Sequence, residues 1–114
     1  MMHGDDCVKA TIGLVTADVS KLTQTTYNVT GLSVTPRQAA ASIRKYIPHF
    51  QISYEPDFRQ AIADSWPNSL DDSMARRDWN WEPSFDLDGL TRDMLGALKV
   101  QYNLPDDKFK LPPM

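Results

Sequence analysis

The chain reads as a small α/β unit, helices carrying a parallel patch of two short strands. Three observations predict it. Apolar residues recur at helical spacing in Val8, Ile12, Val15 and Val19, and again in Leu87, Leu90, Met94 and Leu98. Phe50 to Tyr54 alternates apolar with polar residues, the period of a half-buried strand, and Thr25 to Val29 is rich in β-branched and aromatic residues. A helical segment lies between those two runs, so their pairing is expected to be parallel.

The first helix is predicted over residues 6 to 18, its apolar stripe lying behind an acidic N-cap supplied by Asp5 and Asp6. After the strand at 25–29, Gly31 to Val34 turns the chain. Thr35-Pro36 then places a capping hydroxyl before a proline at the first helical position, and Ala40, Ile43 and Ile47 supply a buried stripe. That helix is expected to stop before Pro48. From Glu55 to Asn68 the prolines at 56 and 67 and the lack of any long period indicate a structured excursion, which carries Arg59 and Trp66.

A short helix is predicted from about Asp72 to Asp78, capped by Asp71 or Asp72. Asn80 follows where a helix must end with positive φ, and asparagine is the best substitute for glycine in that conformation. Trp79 and Trp81 on either side of it read as core wedges. The last helix should run from Leu87 to about Tyr102, with Asp86 and Asp88 near the positive end of its dipole. Beyond Asn103, three prolines and no apolar period predict a flexible tail over 103–114.

At 114 residues the chain is one domain at most. Its net charge of −3 argues against a nucleic-acid partner, because neutralising phosphates needs clustered Lys and Arg. No apolar run approaches the roughly 20 residues of a membrane span, and the N-terminus lacks the pattern of a signal peptide. The single Cys7 forms no internal disulfide, which suits a reducing intracellular compartment, and it is expected to pack as a small core residue. His3 and His49 are far apart with no third ligand, so no metal site is expected. The sequon Asn28-Val29-Thr30 is expected to be idle.

One ordered pattern goes beyond these readings. Arg59 precedes Ala63-Asp64-Ser65-Trp66-Pro67, then comes a short helix entered through acidic residues and closed by Asp78-Trp79-Asn80-Trp81. Asp5-Asp6-Cys7-Val8-Lys9-Ala10-Thr11, Tyr27-Asn28-Val29-Thr30 with Thr35-Pro36, and Phe85-Asp86-Leu87 extend it on both sides. Over about residues 2 to 98 this resembles the C-terminal region of the L-threonine 3-dehydrogenases among the extended short-chain dehydrogenase/reductases. The resemblance implies a C-terminal substrate-binding subdomain at 23–102, with residues 1–22 as the end of a dinucleotide-binding domain. Gly4 and Gly31 stand where the family has larger residues, and Asn80 where it has glycine.

The family's cofactor and catalytic motifs have no counterpart here. No Gly-x-Gly-x-x-Gly is present, and the residues four positions after the tyrosines are Gly31, Phe50, Phe58 and Asp106, never the lysine that would assist a tyrosine base. The Rossmann domain is therefore expected to be absent, and the chain alone to bind no NAD and turn over no substrate.

In a complete enzyme of this family, threonine is oxidised to 2-amino-3-oxobutanoate with NAD, in mitochondria for eukaryotic members, and the resemblance implies oligomer formation through the other domain. It places Trp66 in the substrate pocket wall; structural packing is the competing reading. Arg59 aligns with an arginine that sugar-nucleotide relatives set against a diphosphate. Here it is read either as a bidentate partner for the threonine carboxylate or as the partner of Asp57 or Asp64 in a salt bridge. Asp64, Asp71 and Asp72 are read as caps and arginine partners rather than an acid/base cluster. Two other functions stay open: a sugar-nucleotide epimerase or dehydratase relative, and a non-catalytic protein docking on a full-length dehydrogenase through an exposed patch at Val8, Ile12 and Val15.

Overall fold

The computed structural model describes residues 1–108 and 110. Its helices are α1 (Gly4–Val15), α2 (Pro36–Tyr46), α3 (Phe58–Asp64), α4 (Ser73–Trp79) and α5 (Leu87–Gln101), with single 3-10 turns at Val19–Lys21 and Asp106–Lys108. The predicted flexible tail falls partly at 109 and 111–114, outside the described residues. No helix among those described is long and apolar enough to cross a membrane.

No strand forms among the described residues, so the expected parallel two-stranded patch is corrected. Strand pairing is a non-local property that composition cannot guarantee. Tyr27 and Val29 pack singly against a tryptophan core, and residues 51–54 are exposed. A reciprocal pair is strand-like in form: the Met1 amino group donates to Leu32 O at 3.0 Å and Leu32 N–H returns a bond to Met1 O at 2.9 Å.

The chain forms two compact units. One comprises Met1–Ser33 with Pro56–Phe85 and holds α1, α3 and α4. Its core is Ala10, Ala75 and Trp81, with Met2, Tyr27, Val29 and Trp79 packed around them. Trp81 is anchored by its indole N–H, which donates to Thr30 O at 3.1 Å, and Trp79 meets Tyr27 edge-on at 6.2 Å. Both tryptophans thus act as the expected core wedges.

Helix α1 begins earlier than predicted, because His3 rather than an aspartate is its cap: Nδ1 accepts from Asp5 N–H at 3.0 Å. His3 is fixed by stacking on Phe85 at 3.8 Å. Asp6 is freed for a longer-range task. It is 1 % exposed, and its two oxygens accept from Ser84 N–H at 2.8 Å and Phe85 N–H at 3.1 Å, tying the end of this unit back onto α1. Cys7 is exposed, not the core residue expected, because α1 turns Asp6 and Ala10 inward.

Helix α4 is capped by division of labour. Asp71 accepts from Ser73 N–H at 2.9 Å, while Asp72 holds Arg76 at 2.9 Å and takes Thr30 N–H at 3.3 Å. The helix ends at Asn80 in the left-handed conformation, φ 57°, as its residue type predicts.

The other unit comprises Val34–Glu55 and the residues from Asp86 onward. Helix α2 opens with a complete capping box: Thr35 Oγ1 accepts from Gln38 N–H at 3.3 Å and Gln38 Oε1 accepts from Thr35 N–H at 2.8 Å. Its contact with α5 is polar at the centre. Ser42 Oγ lies 2.6 Å from Asp88 and 2.9 Å from Thr91, and Lys45 Nζ reaches Asp88 at 2.5 Å. These bonds, Lys45's first, hold the Asp88 carboxyl below its usual range. The apolar stripe predicted for α5 is only partly inward, since Met94 is 48 % exposed and the buried positions are Thr91 and Gly96.

Candidate functional site

Both sequence-predicted site residues lie on α3 and its trailing turn. Asp57 caps the helix by accepting from Arg59 N–H at 2.9 Å, and Ser65 and Trp66 close it with backbone bonds to Ile62 and Ala63. A helix of one or two turns is unstable alone in water unless a face is packed. Here every residue from 51 to 71 is exposed, including Phe58 at 77 %, Ile62 at 52 % and Trp66 at 66 %. Phe58 and Ile62 stand four apart on one face of α3.

Arg59 is engaged by Asp57, one of the two salt-bridge partners predicted for it. Its Nε and Nη2 fork onto the carboxylate, with Nη2 at 2.6 Å from Oδ2, and this holds the Asp57 carboxyl below its ordinary range. Asp64 instead accepts from Gln60 Nε2 at 2.7 Å. No hydrogen bond or ring contact joins Arg59 to Trp66 among the described residues, so the structure places them on one short element without joining them. Asp71 is a cap and Asp72 an arginine partner, as expected, whereas Asp64 is paired with Gln60 and not with an arginine or a helix end.

Immediately after Trp66, Pro67 to Leu70 line a shallow concavity of about 250 Å³ together with Met1, Met2 and residues 29–33. Thr30, Ser33, Asn68 and Ser69 give it polar groups, and Met2, Val29 and Leu70 give it apolar walls. Trp66 itself is not on the lining.

One polar cluster was not singled out from sequence. Asp78 Oδ2 accepts from the Thr23 hydroxyl at 2.6 Å and the Tyr27 hydroxyl at 2.7 Å, and Oδ1 accepts from Arg77 Nε at 2.9 Å. These bonds, Thr23's first, hold its carboxyl far below the usual carboxylate range. The side chain is 3 % exposed, so this is an anchor fixing the 23–27 segment to α4, with no access for a reactant. The adjacent Arg77-Asp78 pair was the only local signal, and its distant partners are invisible to local patterns.

No group of three or more potential metal ligands occurs among the described residues. The five glycines, at 4, 13, 31, 89 and 96, are too dispersed to form a phosphate-cradling turn.

No family model matches the chain. Individual proteins do. It is 51% identical over 96 residues to the mitochondrial L-threonine 3-dehydrogenase of Sus scrofa, covering 83% of this chain and 26% of that protein. It is 46% identical over 101 residues to an uncharacterized epimerase/dehydratase of Staphylococcus haemolyticus, covering 87% and 32%. The structure superposes on the crystal structure of L-threonine dehydrogenase from Phytophthora infestans with a TM-score of 0.85 at 53% identity, covering 89% of this chain and 33% of that one.

Sequence and fold together place the chain in the epimerase/dehydratase family of extended short-chain dehydrogenases. Within that family it is a homologue of the L-threonine 3-dehydrogenases, and it spans about a quarter to a third of their length.

Proposed function

We propose that the chain is the C-terminal, substrate-side portion of an NAD-dependent L-threonine 3-dehydrogenase, the enzyme that converts threonine to 2-amino-3-oxobutanoate. The observation that carries this reading is the uncovered stretch at 51–71, which bears Trp66 at 66 % exposure within a chain about half identical to threonine dehydrogenases. A large aromatic and an arginine left in water on one short helix and its trailing turn suit a wall completed by another part of the fold. Trp66 would exclude water from the bound amino acid, and Arg59 would turn its fork from Asp57 to the threonine carboxylate. NAD and the proton-transfer groups belong to the portion this chain does not span, so the isolated chain is inactive and monomeric. Mitochondrial residence is carried over from the mammalian relatives, whose names place those proteins there; organelle fractionation checks it.

The test is a chimera in which this chain replaces the matching portion of the Phytophthora infestans enzyme. Trp66→Ala should lower kcat/KM for threonine by about tenfold or more with the KM for NAD unchanged. Equal kcat/KM in the two chimeras would remove Trp66 from the site, and NAD reduction by the isolated chain with threonine would overturn the assignment of roles.

A second reading follows from the Staphylococcus relative, named as an epimerase/dehydratase. On that reading Arg59 faces a diphosphate, and a uridine nucleotide rather than threonine raises the melting temperature of the chimera. A third, non-catalytic docking on a full-length dehydrogenase, draws on the exposure of Val8, Ile12 and Val15.

A further inference from the structure

A second cavity lies where helix α2 ends, and both of its walls are pinned by hydrogen bonds. One wall is the turn that follows α2. Phe50 N–H donates to Ile47 O at 3.0 Å, closing a turn with Pro48 in its second position, and Arg44 Nε donates to Phe50 O at 3.1 Å. The other wall comes from beyond α5. That helix stops at Asn103, φ 50°, where Leu104 N–H donates to Lys99 O at 3.0 Å and Asn103 N–H to Val100 O at 3.2 Å, the paired bonds of a Schellman motif. Asp106 then pairs with Lys99. Lys110 N–H donates to Tyr46 O at 2.7 Å, satisfying one of the last carbonyls of α2.

The space between these walls is about 560 Å³ and is lined by Ile47, Pro48, His49, Phe50, Asp107 and Lys110. That size falls among small-molecule sites, roughly 300–1,000 Å³, whereas the concavity beside Pro67 is smaller than this range. Ile47, Pro48 and Phe50 supply apolar surface, and Asp107 and Lys110 bring one charge of each sign to its edge. The two charges do not cancel each other: among the described residues no ion pair joins Asp107 to Lys110, and neither side chain has a hydrogen-bond partner. Asp106, one position away, is by contrast already used by Lys99.

That combination selects a ligand. A hydrocarbon seated here would strip water from both charges, and a simple acid or amine from one of them, each at a cost. A zwitterion offers a charged partner to both. Walls already held by backbone bonds also leave less to be ordered when a ligand enters.

We infer that this cavity binds a free α-amino acid with a large apolar side chain. Its carboxylate would lie on Lys110, its ammonium on Asp107 and its side chain against Ile47, Pro48 and Phe50. None of these residues is among those assigned to the threonine pocket, so the inference stands apart from that reading.

The test titrates the isotope-labelled full chain with L-phenylalanine and follows the amide NMR shifts. Saturable shifts are expected at Ile47, His49, Phe50, Asp107 and Lys110. Phenylpropanoate and phenylethylamine, which each lack one of the two charges, should bind about tenfold more weakly. Asp107→Asn should remove the preference over phenylpropanoate, and Lys110→Ala the preference over phenylethylamine. Both side chains are exposed, so neither substitution should move the unfolding midpoint. The inference is overturned if phenylalanine produces no saturable shift at these positions, or if it binds no better than the two analogues, which would make the cavity an unselective apolar cleft. Shifts confined to residues 57–70 would assign the amino acid to the pocket wall instead and overturn it equally.

Discussion

Helices α3 and α4 are built to nearly the same plan and come to opposite ends. Each is seven residues long, each has an aspartate at its N-cap that also pairs with an arginine of the helix, and each leads into tryptophan. Around α4, Ala75 is fully buried and Trp81 is 3 % exposed; around α3, Phe58, Ile62 and Trp66 all stand in water. Local signals therefore do not decide which of two such helices is core. The difference is what each tryptophan has to pack on: α4 has Ala10 and Tyr27 beside it, whereas none of the described residues buries α3. Helix α4 holds its unit together, and α3 stands exposed.

Exchanging the two tryptophans for alanine should show the largest contrast. Trp81→Ala removes the largest core side chain and orphans Thr30 O, at a cost of about 3–5 kcal/mol, enough to abolish cooperative unfolding in so small a core. Trp66→Ala should stay within about 0.5 kcal/mol of the wild-type chain. Urea titrations of the two variants measure both, and a comparable loss from Trp66→Ala would mean that α3 is packed after all.

Acid should separate the regions next. Asp78 has its carboxyl held far below the usual range by Thr23, Tyr27 and Arg77, so its stabilising contribution is present in full above the unfolded carboxylate value of about 3.9 and is lost as the pH falls below it. Melting temperatures between pH 5 and pH 2.5 should fall more steeply for the wild-type chain than for Asp78→Asn, which has already lost the titrating group. Asp57 is also held low by its arginine, but it lies in solvent on α3, and Asp57→Asn should leave the acid slope as it is in the wild type.

What could be read from the residues follows the reach of each interaction. The capping box of Thr35 and Gln38, the cap at Asp57 and the left-handed Asn80 are set by residues within three or four positions, and residue type suffices to suggest them. Periodicity located α1 and α5 but did not determine which side is inward. In α1 the stripe Val8, Ile12, Val15 points to water because the opposite side is the packed one, with Asp6 and Ala10 buried and Gly13 close against the Trp79 ring. Cys7 and the absent strand patch failed for the same reason, since both depend on partners distant in sequence. Gly31 stands where the family has larger residues, yet a Cβ there would come within 2.9 Å of Met1 O, so glycine is what permits the Met1–Leu32 pair. For the site, the sequence pattern singled out Arg59 and Trp66, and the structure adds that both are uncovered; the concavity beyond Pro67 draws on residues of three segments and leaves no mark in any one of them.

A smaller effect tests the stop of α4. Asn80 sits at φ 57°, where a residue with a Cβ and no local hydrogen-bonding side chain is strained. Asn80→Ala should cost about 1 kcal/mol, and Asn80→Gly should be neutral or slightly stabilising, as read from urea midpoints. The same two substitutions at Ser65, the C-cap of α3, which is right-handed, should not reproduce that order, because alanine is unstrained there.

The smallest effect on stability should be at Arg59, and that smallness is informative. Its fork onto Asp57 is solvent-exposed on both sides, and such pairs contribute little once side-chain entropy and screening are counted. Arg59→Ala should leave the unfolding midpoint of the isolated chain unchanged. In the chimera with the Phytophthora infestans enzyme it should raise the KM for threonine while kcat falls less, the pattern of a lost ground-state contact to the carboxylate. An unchanged KM would confine Arg59 to capping α3 with Asp57, and Trp66 alone would then represent this helix in the pocket. A raised KM beside an unchanged unfolding midpoint would mean that Arg59 is held on α3 for a contact outside its own fold.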